Sequence, residues 1–522
     1  MHKYKGTELS QEQAQAVDLG LSGNNLIIQA PAGSGKTMTL LVLARKITGQ
    51  GYNITFSKNS TLEAASKFPK NTTICKTGHA LAFGSEGYKF KNRLTKLTGK
   101  QLSGLMDLGS PGIYNTINNK AYQILETIRH FCYSADEQIL PAHVPWPITN
   151  ATNYVIEKSQ EELAGLSQKL WQRLTNPSET IPITHDVYLK IWALSHPKLK
   201  KDFILFDESQ DANPVMLDVI LSQPNSQIVF SGDRFQQIYS WRGAVNAMTR
   251  VNFQTIEITQ SFRFGQEIAN MANKVINSYS KPANRIKPIR GIDKPCEIIT
   301  EKKGIIPNCI ICRTNAGLIL ETIATLPYFP VFLLGGPEPL ISLIEGIENL
   351  KRGKKSTHFE LKLFNNYDEF VEYAESPQGG SFKAILNIIK KHSFNDLLSY
   401  LYKTISAPTD KSITITTTHK AKGLEWPIVK LSNDFKYPKD EFSHISQEET
   451  NILYVALTRA QEKLLIYDCE ALDEQSLRNG KFYWDLISQS ETAQLFVHLP
   501  NEMEEEKTTE KNKPQLFDER YL

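Results

Sequence analysis

The sequence predicts an α/β protein built on two parallel-sheet cores, each interrupted by a mainly helical insertion. Three observations carry this expectation. Short apolar runs of strand length alternate with longer helical stretches, at residues 26–30, 53–57, 203–206 and 227–231, then again at 308–312, 331–334, 412–417, 428–432 and 463–467. The first run leads straight into a glycine-rich turn that ends in Lys36-Thr37, the chemistry of a phosphate loop. The 522 residues also exceed what one hydrophobic core usually serves, so several globular units are expected.

Composition narrows the class. With 40% hydrophobic and 22% charged residues the chain reads as globular, and no uninterrupted apolar run is long enough to span a bilayer. The opening Met1-His2-Lys3-Tyr4 leads to a polar helix start and not to an apolar signal core, which predicts an intracellular protein, in the cytoplasm or nucleoid of a prokaryote or the nucleus of a eukaryote. Six scattered cysteines fit a reducing compartment. The pair Cys309 and Cys312 is read as two buried small hydrophobes pointing to opposite faces of a strand, because no second Cys or His pair accompanies it. A net charge of only +3 provides no global field, so any nucleic-acid contact must come from a local groove.

Along the chain, residues 1–75 and 181–262 are read as the first core and residues 76–180, rich in Lys, Asn and Gln, as its helical insertion. The second core takes residues 263–335 and 411–495, with a short insertion at 336–410. That insertion holds the basic turn Lys351-Arg352-Gly353-Lys354-Lys355, read as a solvated surface loop in preference to a grip on duplex. Residues 496–522, dominated by Glu, Lys and Thr, are expected to form a flexible charged tail.

The phosphate loop is Ala30-Pro31-Ala32-Gly33-Ser34-Gly35-Lys36-Thr37, with Ala in place of the usual first Gly. Its backbone N–H groups, from Ala32 to Thr37, would turn toward phosphate oxygens at the positive end of the following helix. Lys36 would reach the β- and γ-phosphates of ATP and Thr37 would hold Mg²⁺. A second motif, Phe203-Ile204-Leu205-Phe206 running into Asp207-Glu208, ends an apolar strand in two acids. Asp207 is thereby placed on the metal, and Glu208 where it polarises a water for attack on the γ-phosphate. Hydrolysis is indicated, not storage alone.

Further segments follow in a definite order. They are Leu9-Ser10-Gln11-Glu12-Gln13, Gly232-Asp233-Arg234-Phe235-Gln236-Gln237-Ile238-Tyr239-Ser240-Trp241-Arg242-Gly243-Ala244, Gln260-Ser261-Phe262-Arg263-Phe264-Gly265, Thr418-His419-Lys420-Ala421-Lys422-Gly423-Leu424-Glu425-Trp426 and Tyr454-Val455-Ala456-Leu457-Thr458-Arg459-Ala460. Their order and spacing resemble the Q motif and motifs III to VI of the UvrD/Rep-like branch of superfamily 1 helicases. The resemblance is closer to the F-box DNA helicases, through Ile74-Cys75-Lys76-Thr77-Gly78-His79, Ser134-Ala135-Asp136-Glu137 and Thr184-His185-Asp186-Val187-Tyr188-Leu189-Lys190.

The resemblance implies two RecA-like P-loop domains and assigns roles residue by residue. Gln13 would contact adenine, Phe262 stack on it, and Glu425 accept from the ribose hydroxyl. Gln236 would sense the γ-phosphate, Arg263 and Arg459 would neutralise its developing charge, and His419 would couple phosphate to DNA. Phe56, His79, Tyr239, Trp241, Arg242 and Asn315 would line a groove for single-stranded DNA and for junctions with duplex, the aromatic faces stacking on bases of any sequence. By family analogy, movement runs 3′ to 5′ and duplex is opened ahead, in repair or recombination control. The same ATP-site residues would also serve an ATP-gated DNA clamp, and a protein-stripping translocase that does not unwind shares every motif. Only about eight residues precede the Q motif, so no F-box and no ubiquitin-ligase partner are expected, and the second insertion is shorter than in UvrD and Rep. Residues 478–483 (Arg-Asn-Gly-Lys-Phe-Tyr) are read as a turn presenting Tyr483 as a strand-separating wedge, or as a cap of the following helix.

Overall fold

The computed structural model describes residues 2–489 apart from 5, 115–116, 146–150, 241–242, 357, 359 and 377–378. The described chain forms two compact units, one of residues up to 31 and 35–258, the other of residues 32–34 and 259 onward.

In the first unit, a short antiparallel pair, β1 (Lys3–Tyr4) and β2 (Thr7–Glu8), precedes a six-stranded sheet. Its strands are β3 (Leu26–Gln29), β4 (Gly51–Thr55), β5 (Thr73–Thr77), β6 (Phe203–Asp207), β7 (Gln227–Gly232) and β8 (Gln254–Glu257), all parallel in the order β5-β4-β6-β7-β3-β8. The central strands are continuous apolar runs because helices cover both faces. Ile27, Ile54, Ile204, Phe206 and Phe230 point into one core and Leu26, Ile28, Phe203, Leu205 and Val229 into another, the period-two alternation of a strand. The first of these cores is shared with the helices between β5 and β6, among them Ile117–Tyr133, Asn153–Thr175 and His185–Leu194, through Phe131, Leu170 and Trp192.

The second unit opens with β9 (Gln260–Gly265), which pairs in parallel with β10 (Arg290–Ile292). Its main sheet comprises β11 (Glu297–Ile299), β12 (Cys309–Cys312), β13 (Val331–Leu333), β14 (Ile413–Thr417), β15 (Trp426–Leu431) and β16 (Ala460–Leu465), parallel in the order β11-β16-β15-β12-β14-β13. Four helices between β13 and β14, Glu338–Lys351, Tyr367–Glu375, Gly380–Lys391 and Phe394–Tyr402, share a core with Ile310, Val331, Leu333 and Ile415. Cys309 and Cys312 are both fully buried, with Cys312 in that core. In the basic turn Arg352 pairs with Glu348 at 2.5 Å, and the Lys351 ammonium lies over the rings of Tyr367 and Phe394.

Two expectations are corrected. Residues 478–483 form no turn: they continue the helix Glu474–Gln489, Gly480 sits where a Cβ would come within 2.4 Å of the Tyr279 ring, and Tyr483 is 5% exposed and stacked on His444 at 4.5 Å. A buried, stacked ring cannot serve as a wedge. The last strand is Ala460–Leu465 and not 463–467, because the pairing with β15 begins at Trp426 opposite Ala460. Among the described residues no helix is long and apolar enough to cross a membrane.

Candidate nucleotide site and nucleic-acid surface

A parallel sheet delivers all its strand ends to one edge, and in the first unit the singled-out residues follow those carboxyl ends. Phe56 follows β4, His79 follows β5, Lys36 and Thr37 follow β3, Asp207 closes β6 and Gln236 follows β7. The helix Lys36–Lys46 has no side-chain cap, since its N-cap is Gly35 at φ +74°. Its first N–H groups are therefore left for an external acceptor. The Lys36 ammonium is buried and donates to the Ala30 carbonyl at 3.2 Å.

The Thr37 hydroxyl donates to Asp207 Oδ2 at 3.0 Å, bringing together the two residues expected at the metal. Burial, and after it the adjacent Glu208 carboxylate, holds the Asp207 carboxyl above its ordinary range, while Lys36 and Thr37 pull the other way. A hydroxyl and a carboxylate of hard oxygens, in a site that penalises the uncompensated anion, fit Mg²⁺. Among the described residues no group of three or more His, Cys, Asp or Glu is placed to hold a metal ion.

Glu208 adopts φ +54°, an unfavourable left-handed conformation for a residue with a side chain. Its N–H donates to Asp207 Oδ1 at 3.0 Å, and its carboxylate accepts from Gln210 Nε2 at 2.5 Å. Gln210 Oε1 accepts the Asp233 N–H at 3.1 Å, and Asp233 Oδ2 accepts Gln236 Nε2 at 2.7 Å. A hydrogen-bonded path thus joins Glu208 to Gln236 through Gln210 and Asp233. Gln13 closes a capping box with Ser10, its Oε1 accepting the Ser10 N–H at 2.9 Å, and its Nε2 abuts Gly35, where a Cβ would lie 2.7 Å away.

In the second unit Arg263 and Glu425 meet directly, Arg263 Nε donating to Glu425 Oε2 at 2.5 Å. Arg263 also donates to the Thr458 carbonyl at 3.1 Å, and Gln461 Nε2 donates to Glu425 Oε1 at 2.8 Å. Arg459 is 1% exposed and spends its guanidinium on the carbonyls of Val455 and Leu424 and on the Thr458 hydroxyl. Phe262 is 46% exposed. Residues Ala32, Gly33 and Ser34 group with this unit: the Ala32 carbonyl accepts from Ser261 Oγ at 2.8 Å, the Ala32 N–H donates to the Tyr454 hydroxyl, and the Gly33 carbonyl accepts the Phe262 N–H.

Of the residues expected on DNA, Phe56 and Tyr239 come together, their rings stacked at 5.5 Å and 14°. Phe56 stays 44% exposed. His79 lies elsewhere on the same unit, bonded to Asp186 at 3.2 Å and edge-on to His185 and Tyr188. Trp241 and Arg242 lie outside the described residues. In the second unit Asn315 starts the helix after β12, and His419, half-buried, lies in the helical turn after β14.

Two family models match the chain: the UvrD/REP helicase N-terminal domain over residues 9–254 and the UvrD-like helicase C-terminal domain over residues 340–471. The chain belongs to the UvrD-like helicases. Its two parallel sheets are the RecA-like cores of that family, and the resemblance to F-box DNA helicases holds. This UvrD-like chain is 31% identical to F-box DNA helicase protein 1 of Schizosaccharomyces pombe, over 88% of its own length and 57% of that protein. It is 29% identical to F-box DNA helicase 1 of Gallus gallus, over 88% of its length and 49% of that protein. To ATP-dependent DNA helicase PcrA of Staphylococcus aureus it is 42% identical, over 52% of its length and 56% of that protein. The chain therefore spans about half the length of the curated relatives it matches.

Sequence reasoning missed three residues of this UvrD-like site. Gln210 lies two positions beyond Glu208 and Asp233 opens the segment of Gln236, so position was a signal that went unused. Gln461, which braces Glu425, carries no signal short of the strand register that puts Ala460 opposite Trp426.

Proposed function

We propose that this chain is an ATP-driven motor that moves 3′ to 5′ on single-stranded DNA and opens duplex ahead of it, in repair or recombination control. The observation that carries the reading is the meeting of Thr37 with Asp207 beside a Glu208 held in a left-handed conformation and tied to Gln236. Lys36 exchanges the loop carbonyl for phosphate oxygens. Thr37 and Asp207 would hold Mg²⁺, which when bound would supply charge neutralisation at the phosphates. Glu208 orients and polarises the attacking water, and the hydrogen-bonded path reports the γ-phosphate to Gln236. Gln13 and Phe262 hold adenine, Glu425 the ribose, and Arg263 and Arg459 neutralise the transferring phosphoryl group.

DNA runs over the Phe56–Tyr239 platform and past His79, Trp241, Arg242, Asn315 and His419. Stacking demands no particular base, as a motor requires. In this reading residues 76–180 and 336–410 are insertions into cores of residues 1–75 with 181–262 and 263–335 with 411–495. The relatives described above are DNA helicases, which supports the same assignment.

The test is ATP hydrolysis with and without single-stranded DNA beside Lys36→Ala, followed by unwinding of duplexes carrying a 3′ or a 5′ tail. Strong stimulation and unwinding of the 3′-tailed duplex alone, both lost in Lys36→Ala, are expected. Hydrolysis that DNA leaves unchanged sinks the motor; stimulation without unwinding reduces it to a translocase.

A further inference from the structure

Within the second unit the helices Gln266–Tyr279 and Glu474–Gln489 pack side by side, and an open groove of about 860 Å³ lies along their junction. Each helix has a reason to be there. The first buries Ile268, Ala272, Val275 and Ile276 at helical spacing, which turns Asn270, Lys274 and Asn277 away from the core. The second lets its partner approach at Gly480 and carries Glu474, Arg478 and Lys481 one turn apart on the groove side. The turn after the first helix adds Arg285.

The charge of this groove is uncompensated. Lys274, Arg478 and Lys481 are exposed and have neither an ion pair nor a hydrogen bond among the described residues. Arg285 donates only to the Asn277 carbonyl at 2.8 Å, and its buried Nε has no acceptor. Glu474 is the one acid among the lining residues. Several other cations of the unit are matched, Lys294 with Glu462, Lys463 with Glu297, Lys430 with Glu321 and Arg313 with Glu449, whereas the four of the groove gather unmatched on one surface. Four cations facing one concave surface repel one another and focus a positive potential into it, an arrangement that an anion relieves.

The geometry of the donors favours a repeated anion. The cations come from two helices and a turn along an open groove, an array that suits a phosphodiester chain, which presents charge at intervals along its length. Phe482, 44% exposed and one turn beyond Arg478, offers a ring to a base. Both helices lie outside residues 9–254 and 340–471, and none of the motif residues comes from them. We propose that this groove is a second nucleic-acid site, which grips the phosphodiester backbone of a DNA strand apart from the motif residues. The proposal rests on the DNA-motor reading.

The test measures the affinity of the full chain for a 3′-tailed duplex and for an oligothymidylate from 50 to 200 mM salt, beside the triple variant Lys274→Ala, Arg478→Ala and Lys481→Ala. Losing three phosphate contacts should make the slope of log K against log salt shallower by about 2 to 3 and weaken binding at low salt on the order of tenfold. The charge-keeping triple, Lys274→Arg, Arg478→Lys and Lys481→Arg, should retain the slope. Loss with both probes assigns the groove to a single strand, and loss with the tailed duplex alone assigns it to duplex. An unchanged slope in the alanine variant overturns the groove. So does wild-type binding of a polyglutamate peptide that the variant loses while its DNA slope stays intact, since the ligand is then an acidic protein. If the wild-type chain binds neither DNA, the motor reading fails first and takes the groove with it.

Discussion

Lys190 is the most strongly buried lysine whose titration the fold perturbs, and replacing it with Met turns that burial into a measurable slope. Its ammonium is 1% exposed, donates to the carbonyls of Ser134 at 2.9 Å and Asp136 at 2.5 Å, and lies 4.4 Å from the centre of the Phe131 ring. Burial nevertheless pulls it from an ordinary 10.5 down to about 8. Between those values the unfolded chain holds a proton that the folded one has lost, so stability contributed at this residue rises with pH, by about 1.4 kcal/mol per unit and about 3 kcal/mol in all. Below pH 8 both states are protonated and the full penalty stands; above 10.5 neither is, and it vanishes. The buried Cys132 thiol is held protonated in the fold and works in the opposite direction above its ordinary 9, so the informative quantity is the difference between wild type and Lys190→Met. Urea unfolding followed by tryptophan fluorescence should show wild type gaining about 2 kcal/mol on the variant between pH 7 and 9.5. At pH 7 the two should be close, because Met relieves the buried charge but strands two carbonyls at about 1–3 kcal/mol each. A gap that stays constant across this range refutes the argument.

Three further outcomes are expected. Phe56→Ala removes one ring of the stacked pair with Tyr239 and should weaken single-stranded DNA binding by about 1–3 kcal/mol while leaving the melting temperature nearly unchanged, read by fluorescence anisotropy and a thermal scan. Gln210→Ala leaves Glu208 without its amide donor and the Asp233 N–H without its acceptor; ATP turnover should fall with little change in KM, and a loss confined to KM would remove Gln210 as a positioning residue. Arg313→Met strands Glu449, which is 8% exposed and accepts from Arg313 at 2.7 and 2.8 Å. The cost in urea unfolding should be about 2–3 kcal/mol, below that of a fully isolated pair because Lys436 remains 3.2 Å from Glu449.

What the sequence made legible tracks position in the sheets. β3, β6, β7 and β12 are central, buried on both faces, and announce themselves as apolar runs. β5, β8 and β11, absent from the sequence reading, are edge strands: Thr-Ile-Cys-Lys-Thr, Gln-Thr-Ile-Glu and Glu-Ile-Ile face solvent along much of their length, so no apolar run marks them. The phosphate loop and Asp207 were legible because their chemistry is local, strand then turn then helix. Contacts between residues far apart in the chain were not. Arg263 and Glu425 are 162 positions apart, and no period or local motif makes them neighbours. The proposed wedge failed for a related reason: Asn479-Gly480 looks like turn chemistry, yet the glycine is there for close approach to Tyr279 inside a helix.

The hydrogen bonds around Glu208 explain why a strained residue is retained. Left-handed backbone at a non-glycine residue costs about 1–3 kcal/mol and persists only where its surroundings over-determine it. Here three restraints converge: the Glu208 N–H is held by Asp207, its carboxylate by Gln210, and Gln210 in turn by the Asp233 N–H at the end of β7. Through Gln210 the Glu208 carboxylate is linked to Asp233 and Gln236, which follow β7. An acid meant only to bind a cation would not need this, since Asp207 already meets Thr37 from a relaxed strand end. The strain is accounted for if Glu208 must act in concert with the groups that follow the neighbouring strand, as an acid that positions a water for hydrolysis has to.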